Sequence, residues 1–178
     1  MISAGDGIEL RPVRLTDAEP LYAAIERNRA RIREWLPWLH LSYGFHELTV
    51  FLQGKIAENQ ARSSLTACIW AGEELCGSIG LHLIDQLNRS TSIGYWLNGA
   101  HEGRGIMTQA CRALVTAGFR DYGLHRIEIR CATGNARSAA IPKRLGFTEE
   151  GTLREAEWLY DHWVDLRVFS MIERDWKL

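Results

Sequence analysis

Two hydrophobic periods take turns along the chain, and their order is the first guide to its architecture. From Gly7 to Arg14 (Gly-Ile-Glu-Leu-Arg-Pro-Val-Arg) apolar and polar residues alternate one by one, the period of a half-buried strand. Pro12 lacks a ladder donor and places that strand toward a sheet edge. From Asp17 to about Arg31 the period lengthens: Leu21, Ala24, Ile25 and Ile32 share one helical face. Pro20 falls in the first turn, where a missing N–H costs little, and Thr16 with Glu19 has the spacing of a capping box. The stretch from Ile32 to Phe45, with Trp35, Leu36, Pro37, Trp38, Leu39 and Tyr43, follows neither period. It reads either as the lining of a groove or as a short helix packed on the sheet. From His46 to Gln60 the helical period returns through Leu48, Phe51, Leu52 and Ile56.

The second half is mostly strand. Ser64 to Ala71 and Leu75 to Ile84 flank the turn Gly72-Glu73-Glu74 as a hairpin, and Thr91 to Leu97 adds a third consecutive antiparallel strand. Gly94 inside that third strand implies a bulge or a close approach by something else. A helix from Arg104 to Asp121 carries Ile106, Ala110, Leu114, Val115 and Phe119 and ends at Tyr122-Gly123, a glycine suited to the left-handed cap. His125 to Ala132 returns as a strand, so strand, helix and strand form a βαβ unit with parallel strands. A short helix over Asn135 to Leu145 follows, then strands over Phe147 to Glu157 and His162 to Glu173 around Tyr160-Asp161.

Composition narrows the class. The 178 residues are 46% hydrophobic and 24% charged with a net charge of −1, an ordinary globular balance, so the chain is expected to fold as one domain over residues 1–178. Without a global basic field it is not expected to recruit nucleic acid or anionic lipid. No apolar run approaches the roughly 18 residues of a membrane span, and no leader pattern opens the chain, which points to a cytoplasmic protein. Cys68, Cys76, Cys111 and Cys131 are widely spaced within predicted elements and read as buried free thiols. Metal-ligand spacing and a nucleophile elbow are both missing, so no metal is expected.

Chemistry concentrates at Glu102-Gly103-Arg104-Gly105-Ile106-Met107-Thr108. Glycines between a strand and a helix let the backbone turn tightly and aim free amides outward at the positive end of the helix dipole, a cradle for phosphate. A helix entry without any ligand has the same spelling.

The chain resembles the GNAT acyltransferases, and within them the ribosomal-protein alanine and serine N-acetyltransferases of the RimJ/RimL type. Five pieces in order carry the resemblance: Ile93-Gly94-Tyr95-Trp96-Leu97, the glycine turn, Gly134-Asn135-Ala136-Arg137-Ser138, Leu145-Gly146-Phe147-Thr148-Glu149-Glu150-Gly151, and Tyr160-Asp161-His162-Trp163-Val164-Asp165. It implies an α+β GNAT fold with a mixed sheet of about seven strands, flanked by helices and splayed between the fourth and fifth. It further implies acetyl-CoA as cosubstrate. Pantetheine would pair with backbone near Tyr95, Trp96 and Leu97, and the amides of Gly103, Arg104, Gly105, Ile106, Met107 and Thr108 would hold the phosphates. The family's turn is written Gln/Arg-x-x-Gly-x-Gly/Ala; Glu102 takes its first place and Met107 its last, so Glu102 is expected to face solvent and Met107 to turn into the core.

Transfer of acetyl from a thioester to an amine needs a base for the amine, a donor for the oxyanion and a proton for the leaving thiolate. The resemblance assigns the base to Glu157, the acid to Ser138 and a pantetheine contact to Asn135; a backbone N–H near Leu97 would serve the oxyanion. Read from the residues alone, Glu157 could be an exposed strand glutamate and Ser138 a helix cap. Trp35, Trp38, Tyr43 and His162 are candidates to contact the acceptor, with His162 expected beside Asp165. His82 and His125 read as structural. The acceptor is expected to be a protein N-terminus, with a small amine or a non-catalytic CoA-binding role as alternatives, and a homodimer is plausible by analogy.

Overall fold

A computed structural model describes residues 1–177. Eight strands form one sheet: β1 (Ile2–Gly5), β2 (Ile8–Pro12), β3 (Leu65–Ala71), β4 (Glu74–Asp85), β5 (Ser90–Leu97), β6 (Arg126–Ala132), β7 (Thr148–Leu159) and β8 (His162–Ile172), in the spatial order β1-β2-β3-β4-β5-β6-β8-β7. Every neighbouring pair is antiparallel except β5 and β6, which the long helix α4 (Ile106–Tyr122) connects in parallel. Helices α1 (Ala18–Arg27), α2 (Arg29–Arg33) and α3 (Phe45–Ala61) lie between β2 and β3, and α5 (Ala136–Arg144) between β6 and β7.

Burial is nearly continuous along β3 and over much of β4, so the centre of the sheet is covered on both faces. One core, around Leu10, Ile69, Leu81, Leu114, Ile127 and Phe169, joins the sheet to α4; the other packs Leu21 and Ile25 of α1, Leu39 from the loop after α2, and Leu48 and Leu52 of α3 against Cys68. All four cysteines are buried and free. Among the described residues no helix is long and apolar enough to cross a membrane.

Several local expectations change. The sheet has eight strands, because Ile2–Gly5 folds back on β2 through a turn with positive φ at Gly5, Asp6 and Gly7. The β2 strand is therefore not the edge; its pairing with β1 stops at Leu10, which leaves Pro12 unopposed on that side. The helix from Asp17 divides at Asn28, whose backbone leaves helical geometry. Nor do Thr16 and Glu19 form the cap: the Arg14 amide donates to Asp17 Oδ2 at 2.8 Å instead. On α3, Leu48 and Leu52 are buried while Phe51 is exposed beneath the Lys55 ammonium.

The feature that makes a site is the parting of β5 and β6. Their ladder runs from Ser90 opposite Arg126 to Ile93 opposite Ile129 and ends there. Beyond it β5 stays with β4 as far as Leu97, and β6 stays with β8 as far as Ala132. Each strand follows a different neighbour, so a wedge opens whose β5 wall is Gly94 to Leu97. Unpaired strand edges in such a wedge offer backbone donors and acceptors to an extended ligand.

Candidate active site

The wedge is lined from both sides. Tyr95 projects from β5 toward α5, where its hydroxyl donates to the Ser138 carbonyl at 3.2 Å and lies 3.1 Å from Ser138 Oγ. Asn135 Oδ1 accepts from the Ser138 amide at 3.0 Å, so Asn135 is the cap of α5 and the Ser138 hydroxyl is spared that task. Burial drives the Tyr95 phenol well above its ordinary pKa, and burial also raises the Cys131 thiol, with the Ser138 hydroxyl opposing. The half-buried Ser138 hydroxyl therefore lies beside two groups, Tyr95 and Cys131, that burial keeps protonated.

The bulge considered at Gly94 does not form: Gly94 sits opposite Gly80 in regular register. The close approach is by the His82 ring, which a Cβ at Gly94 would meet at 2.4 Å. Gly77 is tighter, since a Cβ there would come within 2.2 Å of the Trp96 carbonyl oxygen. Bare backbone at Gly77 lets β4 hold the Trp96–Leu97 end of β5 in place.

At the head of α4, Gly103 and Gly105 both take φ of 76°, the left-handed region that glycine enters without strain. The helix begins at Ile106, two residues later than the periodicity implied, with Gly105 as its cap. Ile106 and Met107 turn into the core, Gly103 and Arg104 are exposed, and Thr108 is half-buried. Glu102 does not face solvent as expected. Arg31 and Arg137 both bind its carboxylate, Arg31 Nε at 3.2 Å and Arg137 at 3.0 Å.

Residues unmarked by any motif hold this turn. Asn28 is buried where α1 breaks; its amide donates to the Ala24 carbonyl at 2.8 Å and its Oδ1 accepts from the Gly99 amide at 2.9 Å, pinning the 3-10 turn Gly99–His101 that leads to Glu102. The signal was available: Asn28 continues the stripe of Leu21, Ala24, Ile25 and Ile32, and a polar residue on a buried stripe needs a partner.

The acceptor-side candidates separate. Trp35 covers Gly134, where a Cβ would meet its ring at 3.2 Å, and so reaches across to the end of β6. Trp38 and Tyr43 meet edge to face with centroids 5.4 Å apart, and Tyr43 packs against the α1 to α3 core, where burial pushes its pKa up to about 12. His162 is exposed and paired with Asp161 Oδ1 at 2.6 Å; Asp165, its expected neighbour, accepts instead from the Glu155 amide at 2.7 Å. The hairpin of β7 and β8 docks through Tyr160, whose hydroxyl donates to the Leu36 carbonyl at 2.5 Å while Arg33 stacks on its ring. Glu157, three residues earlier and opposite Val164, is half-buried. Burial alone raises its carboxyl above the usual range.

Comparison with known proteins identifies the family. Residues 8–148 match the acetyltransferase (GNAT) domain family. YdaF of Bacillus subtilis (strain 168) is 35% identical over 172 residues, covering 96% of this chain and 93% of its own. The ribosomal-protein-serine acetyltransferase of Escherichia coli (strain K12) is 31% identical over 171 residues, with 96% of each chain covered. Among solved structures, RimL, a ribosomal α-N-protein acetyltransferase in complex with coenzyme A through a cysteine disulfide, superimposes with a TM-score of 0.92 at 29% identity, over 96% of this chain and 97% of its own. With this likeness over nearly its whole length, the chain belongs to the GNAT acetyltransferase family, as an N-acetyltransferase of the RimJ/RimL type.

Proposed function

We propose that the protein transfers the acetyl group of acetyl-CoA to the α-amine of a protein N-terminus, a ribosomal protein by analogy with its relatives, through direct attack of the amine in a ternary complex. The observation that carries this reading is the wedge between β5 and β6, with bare backbone on one wall, the Ser138 hydroxyl on the other and an amide-rich turn at its mouth. These residues suit the cosubstrate: unpaired strand edge for an amide-bearing arm, outward amides and arginines for phosphates. When bound, acetyl-CoA supplies an electrophilic carbonyl and a thiolate leaving group.

The chain's own groups then divide the work. Glu157, kept basic by burial, takes the proton of the incoming ammonium or amine. Ser138, held by Tyr95, gives a proton to the departing sulfur. The backbone N–H near Leu97 serves the developing oxyanion, Asn135 fixes the head of α5 beside the pantetheine path, and the amides of Gly103 to Thr108 hold the phosphates. Trp35, Trp38, Tyr43 and His162 border the side from which an acceptor would enter. The test is incubation with acetyl-CoA and a panel of N-terminal peptides and small amines, following thiol release. Turnover confined to peptides supports the reading, turnover confined to polyamines or amino acids replaces the acceptor, and no turnover on any amine refutes it.

A further inference from the structure

Glu102 has the wrong sign for its position. It enters the glycine turn at the head of α4, the positive end of the helix dipole, and a carboxylate there opposes a phosphate. Two guanidiniums neutralise it, and they come from opposite sides of the wedge. Arg31, in α2, lies across the backbone of Gly99 just after β5, where a Cβ would meet its Nε at 3.1 Å, and it grips both Glu102 oxygens. Arg137, in the first turn of α5 just after β6, reaches Glu102 Oε2 at 3.0 Å. The Arg–Glu–Arg bridge therefore spans the mouth.

The two helix heads beside this bridge are built at a cost to their own stability. Neither α4 nor α5 carries an acidic residue in its first turn, where one would favour the dipole, and Arg137 stands there with the opposing sign. Its side chain is 77% exposed, against 33% for Glu102, so it can move without repacking. A positive charge held over an anion cradle by a removable carboxylate is a substitution site for another anion.

We propose that Glu102 is an ionic latch: it holds Arg31 and Arg137 across the mouth of the wedge, and the phosphates of coenzyme A displace its carboxylate from Arg137. The inference rests on reading the turn as the coenzyme A phosphate site. In this arrangement Glu102 competes with the phosphates, and a pantetheine compound without phosphates leaves the latch closed. The same groups thus select the phosphorylated cofactor over its pantetheine fragment.

Calorimetry with coenzyme A and with pantetheine as probes tests this on wild type, Glu102→Gln and Arg137→Gln. Glu102→Gln should bind coenzyme A about five-fold more tightly, and Arg137→Gln about five-fold more weakly, the upper range for one exposed ion pair. Neither variant should change pantetheine binding. Weaker or unchanged coenzyme A binding by Glu102→Gln, or equal shifts for both probes, would overturn the latch and leave Glu102 a structural tie. Wild type that fails to bind coenzyme A at all would instead remove the reading of the turn, and the latch with it.

Discussion

The Tyr95 hydroxyl joins the two walls of the wedge: it stands 3.1 Å from Ser138 Oγ, so a strand that follows β4 is tied to a helix that follows β6. Burial raises its pKa, which keeps the phenol protonated and able to donate. Tyr95→Phe removes the link and keeps the ring. Stability should fall by about 1 kcal/mol, the net worth of one hydrogen bond. If Tyr95 orients the Ser138 proton, kcat should fall while KM for acetyl-CoA barely moves; denaturant titration alongside steady-state kinetics separates the two effects.

Because Asn135 caps α5, Ser138→Ala should leave the fold intact. Loss of a proton donor to the leaving thiolate should lower kcat by about a hundred-fold. Thermal melting and thiol release measured on the same preparation check this; a cooperative, unshifted melt with undiminished kcat would exclude Ser138 as the acid.

Burial holds the Glu157 carboxyl above its ordinary value of 4.5. As a base it must lose its proton, so kcat/KM should rise with pH through the raised pKa, and Glu157→Gln should abolish that limb along with most of the rate. For stability the sign is reversed. The folded state keeps the proton longer than the unfolded state, so the group's contribution is fully present below pH 4.5 and is lost as pH rises through the folded pKa. Glu157→Gln should accordingly be more stable than wild type at neutral pH and equal to it near pH 3 (about a unit below the reference range of a glutamate), as urea unfolding at the two pH values would show.

Glu150 has the opposite shift. Hydrogen bonds from Arg126 at 2.5 and 2.7 Å and from Ser170 at 2.7 Å lower its pKa from 4.5 to about 2. Its contribution is present above pH 4.5 and is lost as pH falls toward about 2. Glu150→Gln should flatten the acid limb of the stability curve; the side chain is 39% exposed, so solvent screening makes the effect a fraction of what the shift alone suggests.

Gly77 is the test of how β5 is held. A methyl group there would meet the Trp96 carbonyl, which is backbone and cannot rotate away. Gly77→Ala should cost about 2 kcal/mol, as overpacking does. It should also raise KM for acetyl-CoA by moving the Trp96–Leu97 edge. Wild-type KM in a destabilised variant would separate the strain from the site.

The sequence by itself determined most of the elements and their kind. Alternation marks β2 and β6, strand-like runs bounded by turns mark β3 to β5 and β8, the longer period marks α1, α3 and α4, and Gly103 and Gly105 announce a turn whose backbone only glycine takes easily. These are local properties, set by which face of a strand or helix must leave water and by which residues tolerate positive φ. Resemblance added the splay and the candidate roles of Ser138 and Glu157, because motif order survives where single contacts do not.

Tertiary structure alone decided what each local feature serves. That Gly94 makes room for His82, that Glu102 is shared by Arg31 and Arg137, and that Tyr95 reaches Ser138 are contacts between residues 12, 71, 35 and 43 positions apart. No periodicity encodes such pairs; they exist because β5 and β6 pair with different neighbours once their ladder ends at Ile93 and Ile129, leaving a gap that side chains from distant segments then line.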